Sequence, residues 1–174
     1  MTTRNIWHTM VLTIVALTMG QGNARAQIFE TTYTVTGGSQ LGGIDSCEKL
    51  LDGDVHTKWY QFCGSDNLWV EFKSAEPFVP TGYILTTASD NTLNNYRNPR
   101  TWRVFGKEGD EWKELAYVYK DESMDDKNFA PYEFALNNPD RKQYQEFKFV
   151  VYDVRSYYAN IFSCRNSSSR ATAA

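Results

Sequence analysis

Histidine is scarce in this chain of 174 residues, which contains only two. His8 stands near the N-terminus, so only His56 remains for chemistry in the body of the chain. A Ser-His-Asp or Cys-His centre would have to use that one imidazole, and a His-rich zinc site cannot be built from it. No nucleophile-elbow pattern is present. The spacing of the acidic residues does not exclude a pair of carboxylates for glycoside hydrolysis, but nothing in the sequence identifies such a pair. We therefore predict that the protein is not an enzyme.

The chain also lacks a hydrophobic run of membrane-spanning length. Its main apolar stretch, residues 10–19, falls short of the roughly 20 residues that a spanning helix needs. It follows Arg4 and precedes Ala24-Arg25-Ala26, which is the three-part pattern of a secretory signal peptide. A short buried helix is the alternative. We predict that residues 1–26 are a leader and that the remaining domain is secreted or periplasmic, with no transmembrane segment.

No cluster of positive charge is present. Without Arg4 and Arg25 of the leader, 16 of the 18 basic residues remain against 21 acidic ones. Neutralising phosphates takes clustered Lys and Arg, so we expect no nucleic-acid partner. The same argument disfavours docking on anionic lipid through charge.

Cysteine is limited to Cys47, Cys63 and Cys164. An exported protein meets an oxidising compartment, where thiols pair. Because Cys47 and Cys63 flank one compact motif, we predict a disulfide between them, worth about 3 kcal/mol, with Cys164 left over. Two free buried thiols are the alternative.

Aromatic residues make up 15% of the chain, and they lie in short alternating segments rather than in long stripes of helical period. Seven or more short strands separated by Gly, Pro and Asn predict an antiparallel β-sandwich or barrel. A short helical turn is expected within residues 43–52, and the acidic run 121–128 is interpreted as a solvated loop. The predicted strands are Ile28–Thr36, Leu68–Lys73, Thr81–Ala88, Trp102–Phe105, Trp112–Tyr119, Tyr132–Asn137 and Phe147–Tyr152.

The segment Asp52-Gly53-Asp54, followed by Thr57 and Trp59, has the pattern of a cation-binding turn. Calcium takes several oxygen ligands, and here two carboxylates flank a glycine that permits a tight turn. Thr57 can add its hydroxyl and its carbonyl. Aspartates that merely cap their own backbone are the alternative. Trp59 is expected to fix the turn to the core.

The run from Leu50 to Trp59, Leu-Leu-Asp-Gly-Asp-x-x-Thr-Lys-Trp, resembles the opening of discoidin domains. This family, also called coagulation factor V/VIII type C, includes galactose-binding carbohydrate modules. Later segments resemble its central strands in the same order, over about residues 30–162; they are Trp69–Phe72, Tyr83–Thr86, Arg97–Gly106, Trp112–Leu115 and Phe147–Val151. The resemblance implies an all-β, eight-stranded antiparallel jelly-roll-like sandwich over residues 27–162. It also implies a structural calcium held by Asp52, Asp54 and Thr57.

The C-terminal end departs from the family. The family's last strand resembles Ala-Glu-Ile-x-Val, and its Glu often completes the calcium shell, whereas residues 163–174 have no strand pattern. One codon choice for this tail, read one base later, encodes Val-Ala-Glu-Ile-Arg-Val. We hypothesise a frameshift, with Cys164 as its by-product. If the tail is genuine, the last strand is missing and one sheet has an open edge.

The resemblance places the ligand on loops at one end of the sandwich, here residues 89–98. Sugar hydroxyls need mixed donors and acceptors, and a sugar ring needs an aromatic face. Ordinary loop formation, with Arg97 paired to Asp90, is the alternative for any single residue. We predict a glycan or glycoprotein ligand; a protein-binding or cell-adhesion domain of the same fold is the second hypothesis. The candidate ligand-binding residues are Asp90, Asn91, Asn95, Tyr96, Arg97, Asn98, Tyr157 and Tyr158.

Overall fold

The computed structural model of the protein describes residues 11–16, 31–61 and 67–155, and for residues 11–16 it describes the backbone alone. Within these ranges the chain forms eight strands. In chain order they are β1 (Val11–Ala16), β2 (Tyr33–Gly38), β3 (Leu68–Phe78), β4 (Pro80–Thr86), β5 (Pro99–Glu108), β6 (Glu111–Val118), β7 (Pro131–Ala135) and β8 (Tyr144–Val154).

The strands make two antiparallel sheets, which confirms the predicted all-β sandwich. One sheet has five strands in the order β2-β3-β8-β5-β6, and the other has three in the order β1-β4-β7. Only Val79 separates β3 from β4, so the chain passes from one sheet to the other at that residue. Gly109 and Asp110 form the two-residue turn between β5 and β6, where Gly109 has a φ of 60°. Glycine adopts this conformation without steric cost.

The core lies between the inner faces of the sheets. Leu68, Val70 and Phe72 were predicted to share one face of a strand, and all three are buried in the same cluster. Trp102 of the five-stranded sheet reaches across to the three-stranded sheet, where its indole N–H donates to the Tyr83 hydroxyl at 2.7 Å. Alternating apolar residues therefore place one side of each strand in the core, as the period of a strand requires.

The helical turn expected within residues 43–52 is a 3₁₀ helix at Cys47–Leu50. Cys47 is fully buried, and this burial raises the pKa of its thiol. The structure shows Cys47 as a free thiol. Its predicted partner Cys63 lies outside the described residues, so the disulfide stays a prediction.

The strand β1 falls inside the predicted leader. It pairs with β4 from Val11 opposite Thr86 to Ala16 opposite Pro80, with a register shift at its end. Removal of the leader would therefore take away one of the two strands that flank β4. The tail, residues 163–174, lies outside the described residues. No helix in the described part of the chain is long and apolar enough to cross a membrane.

Candidate functional site

The candidate loop connects β4 to β5 and is folded, not extended. It contains a short α-helix, Asn91–Asn94, followed by a 3₁₀ turn, Asn95–Arg97. Asn91 is almost fully buried, and its amide donates to the carbonyls of Asp125 at 2.8 Å and Lys127 at 3.1 Å. These bonds fasten the loop to the segment around residue 125.

The acidic run 121–128 is a loop with mostly exposed side chains, as predicted, and it also braces the candidate loop. Met124 is fully buried, and the Asn128 side chain accepts from the backbone N–H of Thr92 at 2.8 Å. Hydrogen bonds from Lys127 and from the Tyr132 hydroxyl lower the pKa of Asp125 to about 2. Asp125 therefore keeps its charge and these hydrogen bonds at lower pH than an ordinary aspartate does.

Asp90 is the centre of a polar cluster at this end of the sandwich. Its Oδ2 accepts from the Asn94 amide at 2.9 Å and lies 3.3 Å from Arg97 Nη1. Lys58 Nζ lies 3.4 Å from the same oxygen, and the Lys58 side chain is only 9% exposed. The pairing of Arg97 with Asp90, weighed as an alternative from the sequence, is confirmed. One carboxylate thus joins two segments that lie far apart in the sequence.

Two tyrosine rings flank the Arg97 guanidinium. Its carbon lies 4.9 Å from the ring centroid of Tyr60 and 5.3 Å from that of Tyr96. The Tyr96 hydroxyl accepts from Arg97 at 3.3 Å and donates to Asn94 at 2.9 Å. Arginine stacks on aromatic faces while its N–H edge stays available for hydrogen bonds.

A small recess of about 50 Å³ opens among Lys58, Tyr60, Asp90, Asn94 and Arg97. Beside it, Arg97 Nε and Asn98 Nδ2 are buried donors that find no acceptor within the described part of the chain. Leaving a buried donor unpaired costs about 1–3 kcal/mol. The loop end therefore has two tyrosine rings close to Arg97 and one central carboxylate, with two unpaired donors buried beneath its surface.

No protein-family model matches the chain, and no curated protein matches it. Solved structures do match. The family 32 carbohydrate-binding module of Streptococcus pneumoniae EndoD superposes with a TM-score of 0.56 at 15% identity, covering 76% of this chain and 89% of that one. The module CBM32-3 of a family 31 glycoside hydrolase from Clostridium perfringens gives a TM-score of 0.54 at 15% identity, covering 75% and 84%.

The fold is galactose-binding-like. At this identity the likeness is one of fold alone, so the resemblance to discoidin domains in particular stays a prediction. The galactose-binding-like sandwich expected from the sequence is confirmed, with its loops 52–60 and 89–98 meeting at Asp90.

The predicted ligand residues take different positions in this fold. Asp90, Asn91, Arg97 and Asn98 line the recess, while Tyr96 lies beside Arg97 and does not line it. Asn91 and Asn98 are buried, and the Asn98 carbonyl accepts from the N–H of Arg155 at 2.9 Å. For Asn95 only the backbone is described, and Tyr157 and Tyr158 lie outside the described residues.

Sequence reasoning missed three members of the cluster: Lys58, Tyr60 and Asn94. Lys58 and Tyr60 flank Trp59 directly after the Asp-Gly-Asp turn. Trp59 itself packs against the core, as expected. Since neighbouring residues of an extended segment point to opposite sides, an inward Trp59 turns both neighbours away from the core and toward the recess. That alternation was the available signal.

The turn 52–57 is closed by hydrogen bonds of its own. Thr57 Oγ1 lies 2.9 and 2.7 Å from the two carboxylate oxygens of Asp52. The Asp52 carboxylate also accepts from the N–H of Asp54 at 3.0 Å, and the Asp54 carboxylate accepts from the N–H of His56 at 2.8 Å. The aspartates thus cap their own backbone, which was the alternative weighed from the sequence.

The fit of this turn to calcium is partial. The oxygens of Asp52 and Thr57 converge and suit a hard cation. Lys49 Nζ, however, lies 3.3 Å from Asp52. No group of three or more Asp, Glu, His or Cys side chains that could hold a metal occurs in residues 31–61 and 67–155. Carbonyl oxygens and water would have to supply most of the remaining ligands.

Proposed function

We propose that the chain is an exported, non-catalytic domain that binds a glycan at its loop end, with Arg97 as the central contact. The observation that carries the proposal is the Arg97 guanidinium, which lies close to the rings of Tyr60 and Tyr96 and is paired with Asp90. Fixed donors and acceptors match sugar hydroxyls, and tyrosine faces match the apolar side of a sugar ring. The carbohydrate-binding modules that share the fold support this choice.

This arrangement also means that the site is formed before a ligand arrives. Arg97 is about one-third exposed, while the carboxylate of Asp90 and its partner Lys58 are largely covered. A ligand that meets a side chain already held in place loses less binding energy to ordering it. We infer that Arg97 donates to sugar hydroxyls through those N–H groups that remain accessible. Its ion pair with Asp90 fixes the position of the guanidinium.

The test is binding on an array of plant, bacterial and animal glycans, followed by calorimetric titration of the strongest hit. Arg97→Ala is expected to weaken that binding about 10- to 100-fold, because a hydrogen bond to a charged group contributes about 1.5–3 kcal/mol. The matched control is Arg141→Ala, which removes the same charge from an exposed residue on the connection between β7 and β8.

An array that stays blank for the folded domain would contradict the proposal, as would an unchanged Kd in Arg97→Ala. Binding to a purified protein surface without any glycan would favour the second hypothesis, a protein-binding domain of the same fold. Leu93, which is 81% exposed on the same loop, is the residue that favours that hypothesis.

We also propose that calcium binds the turn at Asp52, Asp54 and Thr57 and stabilises the folded domain. A cation that binds only the folded state at 100 times its Kd adds about 2.7 kcal/mol. For a domain of this size that raises Tm by roughly 5–10 °C. Melting in calcium chloride against EDTA measures the shift, and Asp52→Asn should abolish it. Equal Tm values in millimolar calcium and in EDTA would refute the proposal.

A further inference from the structure

A second concave surface lies on the outward face of the five-stranded sheet. We call it the outer sheet groove. Its volume is about 350 Å³, and it runs across the four neighbouring strands β3, β8, β5 and β6. Apart from Asn67 at one end, the lining residues are Trp69, Phe105, Trp112, Lys148, Val150 and Tyr152. None of them belongs to the Asp90 cluster.

Strand periodicity explains why aromatic residues collect there. Trp69 lies between the buried residues Leu68 and Val70, so it points away from the core. It stands opposite Val150 in the ladder between β3 and β8, and Lys148 stands opposite Phe105 in the ladder between β8 and β5. Val150 is buried despite its outward position, since the surrounding rings cover it.

Two indoles share one ammonium in this groove. Lys148 Nζ lies 4.7 Å from the ring of Trp69 and 5.7 Å from the ring of Trp112. Both indoles are half-buried, so part of each ring remains accessible. Neither indole N–H donates to an acceptor within residues 31–61 and 67–155. The groove therefore has aromatic faces together with indole donors that no group in the described part of the chain uses.

The charges on this face are already balanced. Lys148 pairs with Glu71 at 2.8 Å, Arg103 with Glu114 at 3.3 Å and Lys107 with Glu146 at 3.0 Å. Each of these three cations thus has its own carboxylate, so the ion pairs around the groove add no excess charge of either sign. Such a surface suits a neutral ligand, and it gives an anionic polymer nothing to neutralise.

We propose that the outer sheet groove binds a neutral oligosaccharide chain, independently of the loop-end site. Pyranose rings stack their apolar faces on Trp69 and Trp112, and their hydroxyls meet Lys148, Asn67 and the free indole N–H groups. The groove spans four strands and is open along its length, so it fits several linked sugar units and not a single terminal residue. This proposal does not rest on the function assigned to Arg97.

Affinity electrophoresis tests the proposal with gels that contain hydroxyethyl cellulose, galactomannan or, as the acidic counterpart, polygalacturonic acid. At least one neutral polymer is expected to retard the protein. Trp112→Ala should weaken that retardation about tenfold, as expected when an aromatic stacking partner and its contact area are removed. The matched control is Tyr119→Ala, which removes a ring that is 61% exposed outside the groove. A melting curve of each variant checks that it is folded.

Arg97→Ala distinguishes the two sites. Retardation that survives Arg97→Ala and is lost in Trp112→Ala supports the groove. Retardation lost in Arg97→Ala but kept in Trp112→Ala overturns the groove and leaves the loop-end site standing. Retardation by polygalacturonic acid alone, or by no polymer, also overturns it. A dimer that forms with rising concentration in analytical ultracentrifugation, and that Trp112→Ala abolishes, also overturns the proposal. The outer sheet groove would then be an interface between two copies of the chain.

Discussion

Trp102→Ala is expected to lower the free energy of unfolding by about 3–5 kcal/mol, the range for removing a large buried aromatic side chain. Trp102 has no exposed surface and packs edge-to-face on Phe134, with 5.0 Å between ring centroids. Its indole also donates to the Tyr83 hydroxyl at 2.7 Å. One side chain therefore joins both sheets. Urea denaturation followed by circular dichroism measures the loss, which is a large share of the roughly 5–15 kcal/mol that stabilises an ordinary domain.

Two variants separate the parts of this effect. Tyr83→Phe keeps the ring but leaves the buried indole N–H without its acceptor, which should cost about 1–3 kcal/mol. Trp112→Ala removes a tryptophan from the outward face and should cost much less than Trp102→Ala, because Trp112 is only half-buried. Equal losses in Trp102→Ala and Trp112→Ala would contradict the assignment of Trp102 to the junction between the sheets.

The facing of the strands could be read from the sequence. Leu68, Val70 and Phe72 alternate with longer polar or amphipathic residues, and period-two alternation places them in the core whatever their partner strand is. The pairing of β3 with β8, which begins 76 residues after β3 begins, could not be predicted in the same way. The alternating pattern predicts which face of a strand lies in the core. It does not predict which strand lies beside it, because every candidate strand has the same pattern.

Only part of the loop-end site could be predicted from the sequence, because some of its contacts join residues far apart in the chain. The loop 89–98 is rich in polar residues, and its Asp90 and Arg97 line one recess, with Tyr96 in contact with Arg97. Lys58 was missed because it becomes important only through Asp90, 32 residues away. Composition predicted the acidic run 121–128 as a solvated loop, but it did not show that one residue of that loop, Met124, is fully buried. One apolar residue changes the average polarity little, yet its burial decides the role of the segment.

Asp90→Ala is the second prediction with a large effect. It leaves the Lys58 ammonium, whose side chain is 9% exposed, without its carboxylate. Removing one partner of a buried ion pair costs about 3–5 kcal/mol, and we expect the lower part of that range because Asp90 is 17% exposed. Glycan binding should fall as well, since Asn94 and Arg97 both depend on the same oxygen. Urea denaturation measures the first effect and calorimetry the second.

A double variant shows whether the loss of stability comes from the unpaired Lys58 ammonium. Asp90→Asn combined with Lys58→Met replaces the pair by uncharged groups of similar size, a change that is often nearly neutral when both partners are exchanged. It should therefore recover most of the stability lost in Asp90→Ala but not the glycan affinity, because Arg97 would still lack its anchor. The control is Glu111→Ala, whose exposed pair with Lys113 should contribute less than about 1 kcal/mol. If Asp90→Ala unfolds at the same urea concentration as the wild type, Asp90 is not the residue that holds Lys58 and Arg97 together, and the preformed loop-end site loses its physical basis.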